Sequence, residues 1–391
     1  MYDLKNFIVI CLMAVFITAC KEDLPQSISK EGATPRPVTN VVVKNLPGGA
    51  TLRYKSPDSE DLLYVKAVYE FPKGNIREVK ASMYIDSLTI DGIGNTDELD
   101  VKLFTISRSE AFSEPVTVKI KPLTPPVKLA GETLSLIEDF GGVTASFENK
   151  TESNLVITIV LKDGNEWLPI ETYYTNRRAG SFSARGQEAK EQIFGVFIKD
   201  RWNNRSDTLK ASLTPIFETR LPAPESITSL YNDYNQHYLT FRYTYLFDGI
   251  VSFANYVGTL LTATSKLPLS FTIDFKVPTQ FSRFKFWMRG GGNNYDFNFG
   301  APEKWEVWGA NELDADWSKW TKILDCTAIK PSGAILGVLT TEDLEAAKAG
   351  LDFQFPLNTP KYRYLRWKTT KNFGSVDYVQ FSELTFWGNQ K

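Results

Sequence analysis

Histidine occurs once in the 391 residues, as His237 in the stretch YNDYNQHYLTF. Zinc hydrolase centres draw on several histidines, so that chemistry is excluded. A Ser-His-Asp triad would have to use His237. No G-x-S-x-G segment accompanies it, and it reads as a surface or loop residue. Thiols are as scarce: Cys11, Cys20 and Cys326. The first two lie in or at the end of an N-terminal apolar run, so Cys326 is left without a disulfide partner and reads as a buried apolar residue. The 46 acidic residues against 44 lysines and arginines give a net charge of −2, which offers no electrostatic case for nucleic acid. Glycoside cleavage would need two carboxylates about 5–9.5 Å apart across a cleft, and the sequence points to no particular pair.

The apolar run from Phe7 to Ala19 is 13 uncharged residues with Lys5 just ahead. A membrane-spanning helix takes about 20 residues, so this run suits the core of a secretory signal. Its end, Ile17-Thr18-Ala19-Cys20, resembles a bacterial lipobox. That resemblance implies a signal peptide over 1–19 and lipidation of Cys20, whose acyl chains hold a protein on a membrane through roughly 0.8 kcal/mol per buried methylene. Lys21-Glu22-Asp23 resembles the surface-export signal of lipoproteins in Bacteroidetes, which implies a lipid-anchored, surface-exposed place on the outer membrane. Residues 20–39 read as a flexible tether, because SISKEGATPRPVT is polar and proline-bearing with no apolar period.

What remains after the signal, about 370 residues, is two or three domains on usual sizes. Proline-bearing joints at 121–126 (KPLTPP) and 220–226 (RLPAPES) divide it into 40–124, 125–221 and 222–391. The first two segments repeat one another. Gly48-Gly49-Ala50-Thr51-Leu52 returns as Gly141-Gly142-Val143-Thr144-Ala145, the strand Leu99, Val101, Leu103 as Gln192, Phe194, Val196, and Ser113-Glu114-Pro115-Val116 as Ser206-Asp207-Thr208-Leu209. Short alternating runs such as LYVKAVYEF and LVITIVLKD, parted by turn residues, are the pattern of antiparallel sheets with one buried face. In size and strand rhythm these segments resemble fibronectin type III or immunoglobulin-like sandwiches, modules that usually act as spacers. One stretch of the second, EWLPIETYYTNRRAG, groups Trp167, Tyr173, Tyr174, Arg177 and Arg178. It reads either as a sugar or partner contact or, since strand residues alternate, as half core.

The last third carries seven of the nine tryptophans. There LFDG (246–249), LPLSFTIDF (267–275), FSRFKFWMRGGG (281–292), PEKWEVWGANE (302–312), YRYLRWKTT (362–370) and FSELTFWG (381–388) run in the order of a discoidin, or coagulation factor 5/8 type C, domain. This segment resembles that family, which implies an eight-stranded jelly roll with galactose-binding-like relatives. The whole chain is therefore expected to be all-β. The combination of modules also resembles lipoproteins of Bacteroidetes polysaccharide-utilisation loci.

The discoidin resemblance implies two sites. A structural Ca2+ would lie between the Asp-Gly loop and the closing strand, held by Asp248, Ser252 and Glu383. Calcium takes six to eight oxygens from carboxylates and carbonyls, and the other reading is that Asp248 caps a turn while Glu383 pairs with an arginine. Phe253 stands near an expected tryptophan, a departure from the family pattern. A glycan site would lie on loops at one end of the barrel, where an aromatic ring meets the C–H face of a sugar and side-chain donors meet its hydroxyls. The loop MRGGGNNYDFNFG supplies Arg289, Asn293, Asn294 and Tyr295; TTKNFGSVDY supplies Asn372 and Phe373; Tyr256 follows the Asp-Gly loop beside Asn255.

Among the other tryptophans, Trp305 and Trp308 should point to opposite sides of a strand, and Trp317 and Trp320 lie in a polar stretch where they could be exposed. TTEDLEAAKAG is the convincing helix, with Thr341 as its cap. These features favour a non-catalytic surface lipoprotein that binds carbohydrate. The alternative is a docking lipoprotein making protein contacts with outer-membrane partners, and an enzyme is the reading with least behind it.

Overall fold

The computed structural model describes residues 34–224, 226–228, 243–259 and 266–391; Cys20, the signal segment, most of the tether and His237 lie outside the described residues. The first module holds β1 (Thr39–Leu46), β2 (Gly49–Lys55), β3 (Leu62–Glu70), β4 (Ile76–Ser82), β5 (Ser87–Ile90), β6 (Leu99–Ser107) and β7 (Val116–Ile120). A three-stranded sheet, β1-β2-β5, faces a four-stranded sheet, β4-β3-β6-β7. Period-two alternation makes this possible: in β3, Val65, Ala67 and Tyr69 face the core while Lys66 and Val68 are less buried.

The second module repeats the plan. It contains α1 (Pro126–Gly131), β8 (Ser135–Asp139), β9 (Gly142–Glu148), β10 (Leu155–Asp163), β11 (Glu166–Thr175), β12 (Ala179–Arg185), β13 (Gln192–Lys199) and β14 (Leu209–Leu213), with sheets β12-β9-β8 and β11-β10-β13-β14. The repeat holds down to single atoms. Ser113 Oγ accepts from Thr105 N at 3.1 Å and donates to Glu114 O at 2.9 Å; Ser206 Oγ accepts from Ile198 N at 2.9 Å and donates to Asp207 O at 2.8 Å. The repeated glycine pair has a steric cause, since a Cβ on Gly49 would stand 2.0 Å from Ile90 O and one on Gly142 1.7 Å from Ala184 O. The sequence did not point to α1, a short helix opened by Pro126, whose fixed φ suits the first helical turn.

The C-terminal domain holds β15 (Thr219–Arg220), β16 (Ser226–Thr228), β17 (Val257–Gly258), β18 (Leu269–Trp287), β19 (Pro302–Ala310), β20 (Thr321–Thr327), α2 (Thr341–Ala349), β21 (Leu351–Gln354), β22 (Tyr362–Asn372), β23 (Gln380–Phe381) and β24 (Glu383–Asn389). The long β18 serves both layers of the sandwich. Leu269–Asp274 pairs with β22, the chain shifts register around Lys276, whose φ is +70°, and Gln280–Trp287 pairs with β24. Ring stacking fills the space between the layers: Trp305 and Trp367 lie 4.7 Å apart at 8°, against Phe284, Phe286 and Phe381. Helix α2 is capped by Thr340 rather than Thr341, with Asp343 returning the bond in a capping box. Cys326 is free and buried, and burial pushes its thiol up to about 12.

The modules touch through named side chains. At the first junction Asn204 Nδ2 donates to Gly92 O at 3.2 Å and Arg201 pairs with Asp91 at 3.0 Å. At the second, Glu218 Oε1 takes Arg185 at 3.1 Å, Arg283 at 3.4 Å and the Ser282 hydroxyl at 2.6 Å.

Candidate loop-end site and the Asp-Gly loop

The glycine-rich loop after β18 is organised around an internal anion. Asp296 is fully buried, and its Oδ2 accepts from the backbone N–H of Gly292 at 2.7 Å and Asn293 at 2.8 Å. A Cβ on Gly290 would meet the Asp296 carboxylate at 2.1 Å, and Gly291 and Gly292 hold φ of +66° and +102°. Those glycines are therefore required by a carboxylate within the loop, independently of any ligand. Burial raises the Asp296 pKa against the pull of these N–H groups.

On this loop and the one after Asp248, three aromatic rings gather around one cation. The Arg289 guanidinium lies 3.5 Å from the Tyr256 ring centroid, 4.4 Å from Tyr295 and 4.7 Å from Phe253. Tyr295 in turn packs against Phe253 and Phe299, both at 4.9 Å. Arg289 Nε donates to Phe253 O at 3.2 Å, while its two Nη groups have no partner among the described residues. Phe253 is 44% exposed, and Asn294 at the loop tip is exposed as well. The result is a cluster of mutually tilted rings, at 56° and 39°, with guanidinium donors beside it.

Not all the residues proposed from sequence meet here. Asn293 is tied into its own loop, donating to Gly290 O at 2.8 Å and accepting from Tyr295 N at 3.0 Å, so it shapes the loop. Tyr256 is buried and lies against Arg289 as a support. Asn372 is fully buried, its amide donating to Val376 O and Tyr378 O, which places it beneath the surface where no glycan reaches. Phe373 packs edge-on against buried Phe297 at 5.3 Å and closes the barrel end. The Trp167 group also divides: Tyr173 stacks on Phe182 at 5.1 Å toward the core, Tyr174 is 75% exposed and Arg178 pairs with Glu152, so no shared platform forms.

The three oxygen-bearing residues proposed for a cation do converge. Asp248 Oδ1 accepts from Ile250 N at 2.9 Å, and Asn255 Nδ2 lies 3.1 and 2.9 Å from the two Asp248 oxygens, so Asp248 caps its own turn. Ser252 Oγ accepts from Asn255 N at 3.0 Å. Glu383 Oε2 accepts from Gly249 N at 3.0 Å; among the described residues no arginine forms an ion pair with it, and its Oε1 is buried with no hydrogen-bond partner. Glu383 is 2% exposed; burial, with the Asp248 carboxylate adding, raises its carboxyl to about 7 against the pull of the Gly249 N–H. An orphaned carboxylate oxygen at the back of a loop bearing a second carboxylate and a hydroxyl fits a hard cation. Among the described residues no group of three or more His, Cys, Asp or Glu side chains converges, so a cation here would take its other oxygens from backbone and hydroxyls.

Three family models tile the described chain, each a domain of unknown function: DUF4959 over 35–122, DUF5126 over 123–224 and DUF5000 over 247–388. No curated protein matches significantly. Among solved structures, the SusE-like protein BT2857 is 30% identical; the alignment covers 68% of this chain and all of that one, with a TM-score of 0.45. That identity over the whole of the relative decides the family. The chain belongs to the SusE-like proteins. Looser superpositions, at TM-score 0.30, include the third family-32 carbohydrate-binding module of a family 31 glycoside hydrolase from Clostridium perfringens (20% identical, 42% of this chain, 90% of that one). Another is the family 32 module of C. perfringens NanJ in complex with galactose (15%, 44% and 98%).

In this SusE-like chain, sequence reasoning passed over Phe299 and took Phe253 only as a departure from pattern, yet both frame Tyr295. Strand alternation gave no signal for Phe299, because it lies in a turn with φ of +46° beside buried Phe297. Phe253 gave none, because its role depends on a loop distant in sequence. Among the described residues no helix is long and apolar enough to cross a membrane.

Proposed function

We propose that this SusE-like protein is a non-catalytic, surface-anchored carbohydrate-binding protein. Its ligand is a glycan held at the loop end of the C-terminal domain. The observation that carries this reading is Arg289: its Nε is fixed to Phe253 O while its Nη donors have no protein partner among the described residues, beside the rings of Tyr295 and Phe253. A sugar offers what this surface lacks, a C–H face for the rings and hydroxyl acceptors for the guanidinium. Asn294, exposed on the same loop, offers an amide to the ligand. A Ca2+ held by Asp248, Ser252 and Glu383 would fix the loop that carries Phe253 and Tyr256, supplying structure and no chemistry. Cys20 is the lipid anchor to the outer membrane, and the two sandwich modules act as the stalk.

The test is binding of the purified chain to an immobilised glycan array, with and without a calcium chelator, for the wild type and Tyr295→Ala. Retention on one glycan class that drops with Tyr295→Ala supports the site. A wild type that no glycan retains, but that captures outer-membrane proteins, moves the protein to the docking reading.

A further inference from the structure

A second aromatic surface lies on the outer face of the β19–β22 sheet. Strand alternation sends Trp305 into the core and Trp308 out. Trp308 is cross-strand from Arg366 and Lys322, and Glu306 from Lys368. Over them sits the turn Asp314–Trp320. Asp316 caps it, accepting from Ser318 N at 2.9 Å and Ser318 Oγ at 2.7 Å. Trp320 Nε1 at 3.0 Å and Arg366 Nη2 at 2.8 Å both donate to Asp314 O, which binds the turn to the sheet. Trp317 is thereby held half-buried, 5.3 Å from Trp308 with the two indoles at 74°. Arg366 and Lys368 approach the Trp317 ring at 4.6 and 5.0 Å. They project from alternate residues of one strand, on the same outer face of the sheet as Trp308, and Trp317 keeps part of its surface exposed above them.

The surrounding charges cancel once the turn is counted, with Arg366, Lys368, Lys322 and Lys319 against Glu306, Asp325, Asp314 and Asp316. Lys368 lies 3.1 Å from Glu306, and Lys322 lies 3.8 Å from Glu306 and 3.0 Å from Asp325. A right-angled pair of indoles edged by donors and acceptors, without net charge, suits a neutral pyranose: the indole takes the C–H face, and the ammonium and carboxylate take hydroxyls. Neither an acidic nor a basic partner gains from that balance. Trp308 stands six residues along β19 from Pro302, where the glycine-rich loop ends, which is about 20 Å of strand. We infer that the Trp308–Trp317 face is a second carbohydrate-contact surface, separate from the loop end, that takes a neutral polysaccharide chain.

Affinity gels that each contain one neutral polysaccharide (galactan, mannan, xylan or amylopectin) test this with the whole chain as wild type, Trp317→Ala, Lys368→Met and Tyr295→Ala. Lys368→Met keeps the aliphatic stem beside Trp317 and removes only the ammonium, so it guards against an unfolding artefact in Trp317→Ala. On the polymer that retards the wild type, Trp317→Ala is expected to weaken binding about tenfold, and Lys368→Met in the same direction by less. Loss in these two with no change in Tyr295→Ala keeps the inference and places this polymer on the Trp308–Trp317 face, apart from the loop-end site. Wild-type retardation of both Trp317→Ala and Lys368→Met overturns the inference, as does a wild type that none of the four polymers retards.

Discussion

Arg289 and Arg366 are both laid against aromatic rings in the C-terminal domain, and they are finished differently. Arg366 is 1% exposed; its Nε donates to Thr272 Oγ1 at 3.0 Å, its Nη2 to Asp314 O at 2.8 Å, and Trp320 covers it at 3.9 Å. Arg289 is half-buried and anchored by Nε alone. A stacked arginine is thus no evidence of a site in itself. What separates the two is whether donors remain after the protein has used what it needs, so hydrogen-bond accounting assigns the roles.

The largest test of this contrast is on stability. Arg366→Met should destabilise the C-terminal domain by about 2–4 kcal/mol, because it strips two hydrogen bonds and leaves buried acceptors behind. Arg289→Met should stay within about 1 kcal/mol in the same denaturant titration and lose glycan retention instead. Equal stability losses in the two variants would break the comparison.

Glu383 extends the logic to a carboxylate, with Oε2 engaged and Oε1 open. The group binds its proton more tightly in the folded chain, at about 7 against an ordinary 4.5. Between those values the unfolded chain has released the proton and the folded chain keeps it. Stability should therefore fall as pH rises from 4.5 to about 7, then level off. A cation competes for the same oxygens, so the melting-temperature gain from added Ca2+ should grow as pH rises through that window. Glu383→Gln should flatten the pH dependence and remove the calcium gain. Melts that respond to calcium equally at pH 5 and pH 8 would remove the cation from this loop.

Period-two alternation placed the sandwiches in the sequence, and the glycine pairs marked their repeat because sterics at Gly49 and Gly142 allow nothing else. Arg289, Asn294 and Tyr295 were visible as residue types that suit a sugar. The error over Asn372 has the same root as the success: an amide in a loop reads alike whether it turns out or in, and only the carbonyls of Val376 and Tyr378 decide. Phe253 was illegible because its partners Tyr295 and Arg289 arrive from another loop, and sequence spacing carries no information about that meeting.

The finest division falls between neighbours. Asn293 and Asn294 are identical in type and adjacent in chain, but the first has both ends of its amide bonded to backbone within the loop and the second has an exposed side chain. Asn293→Ala should cost about 1–2 kcal/mol of stability by freeing Gly290 O and Tyr295 N, and it should weaken glycan binding only by loosening Tyr295. Asn294→Ala should leave stability within about 0.5 kcal/mol and lower affinity roughly three- to tenfold, the effect of one lost hydrogen bond to a hydroxyl. Calorimetric binding paired with thermal melts separates the two outcomes. If Asn294→Ala binds as the wild type does while Asn293→Ala does not, the ligand edge runs along the base of the loop, and its tip is solvent.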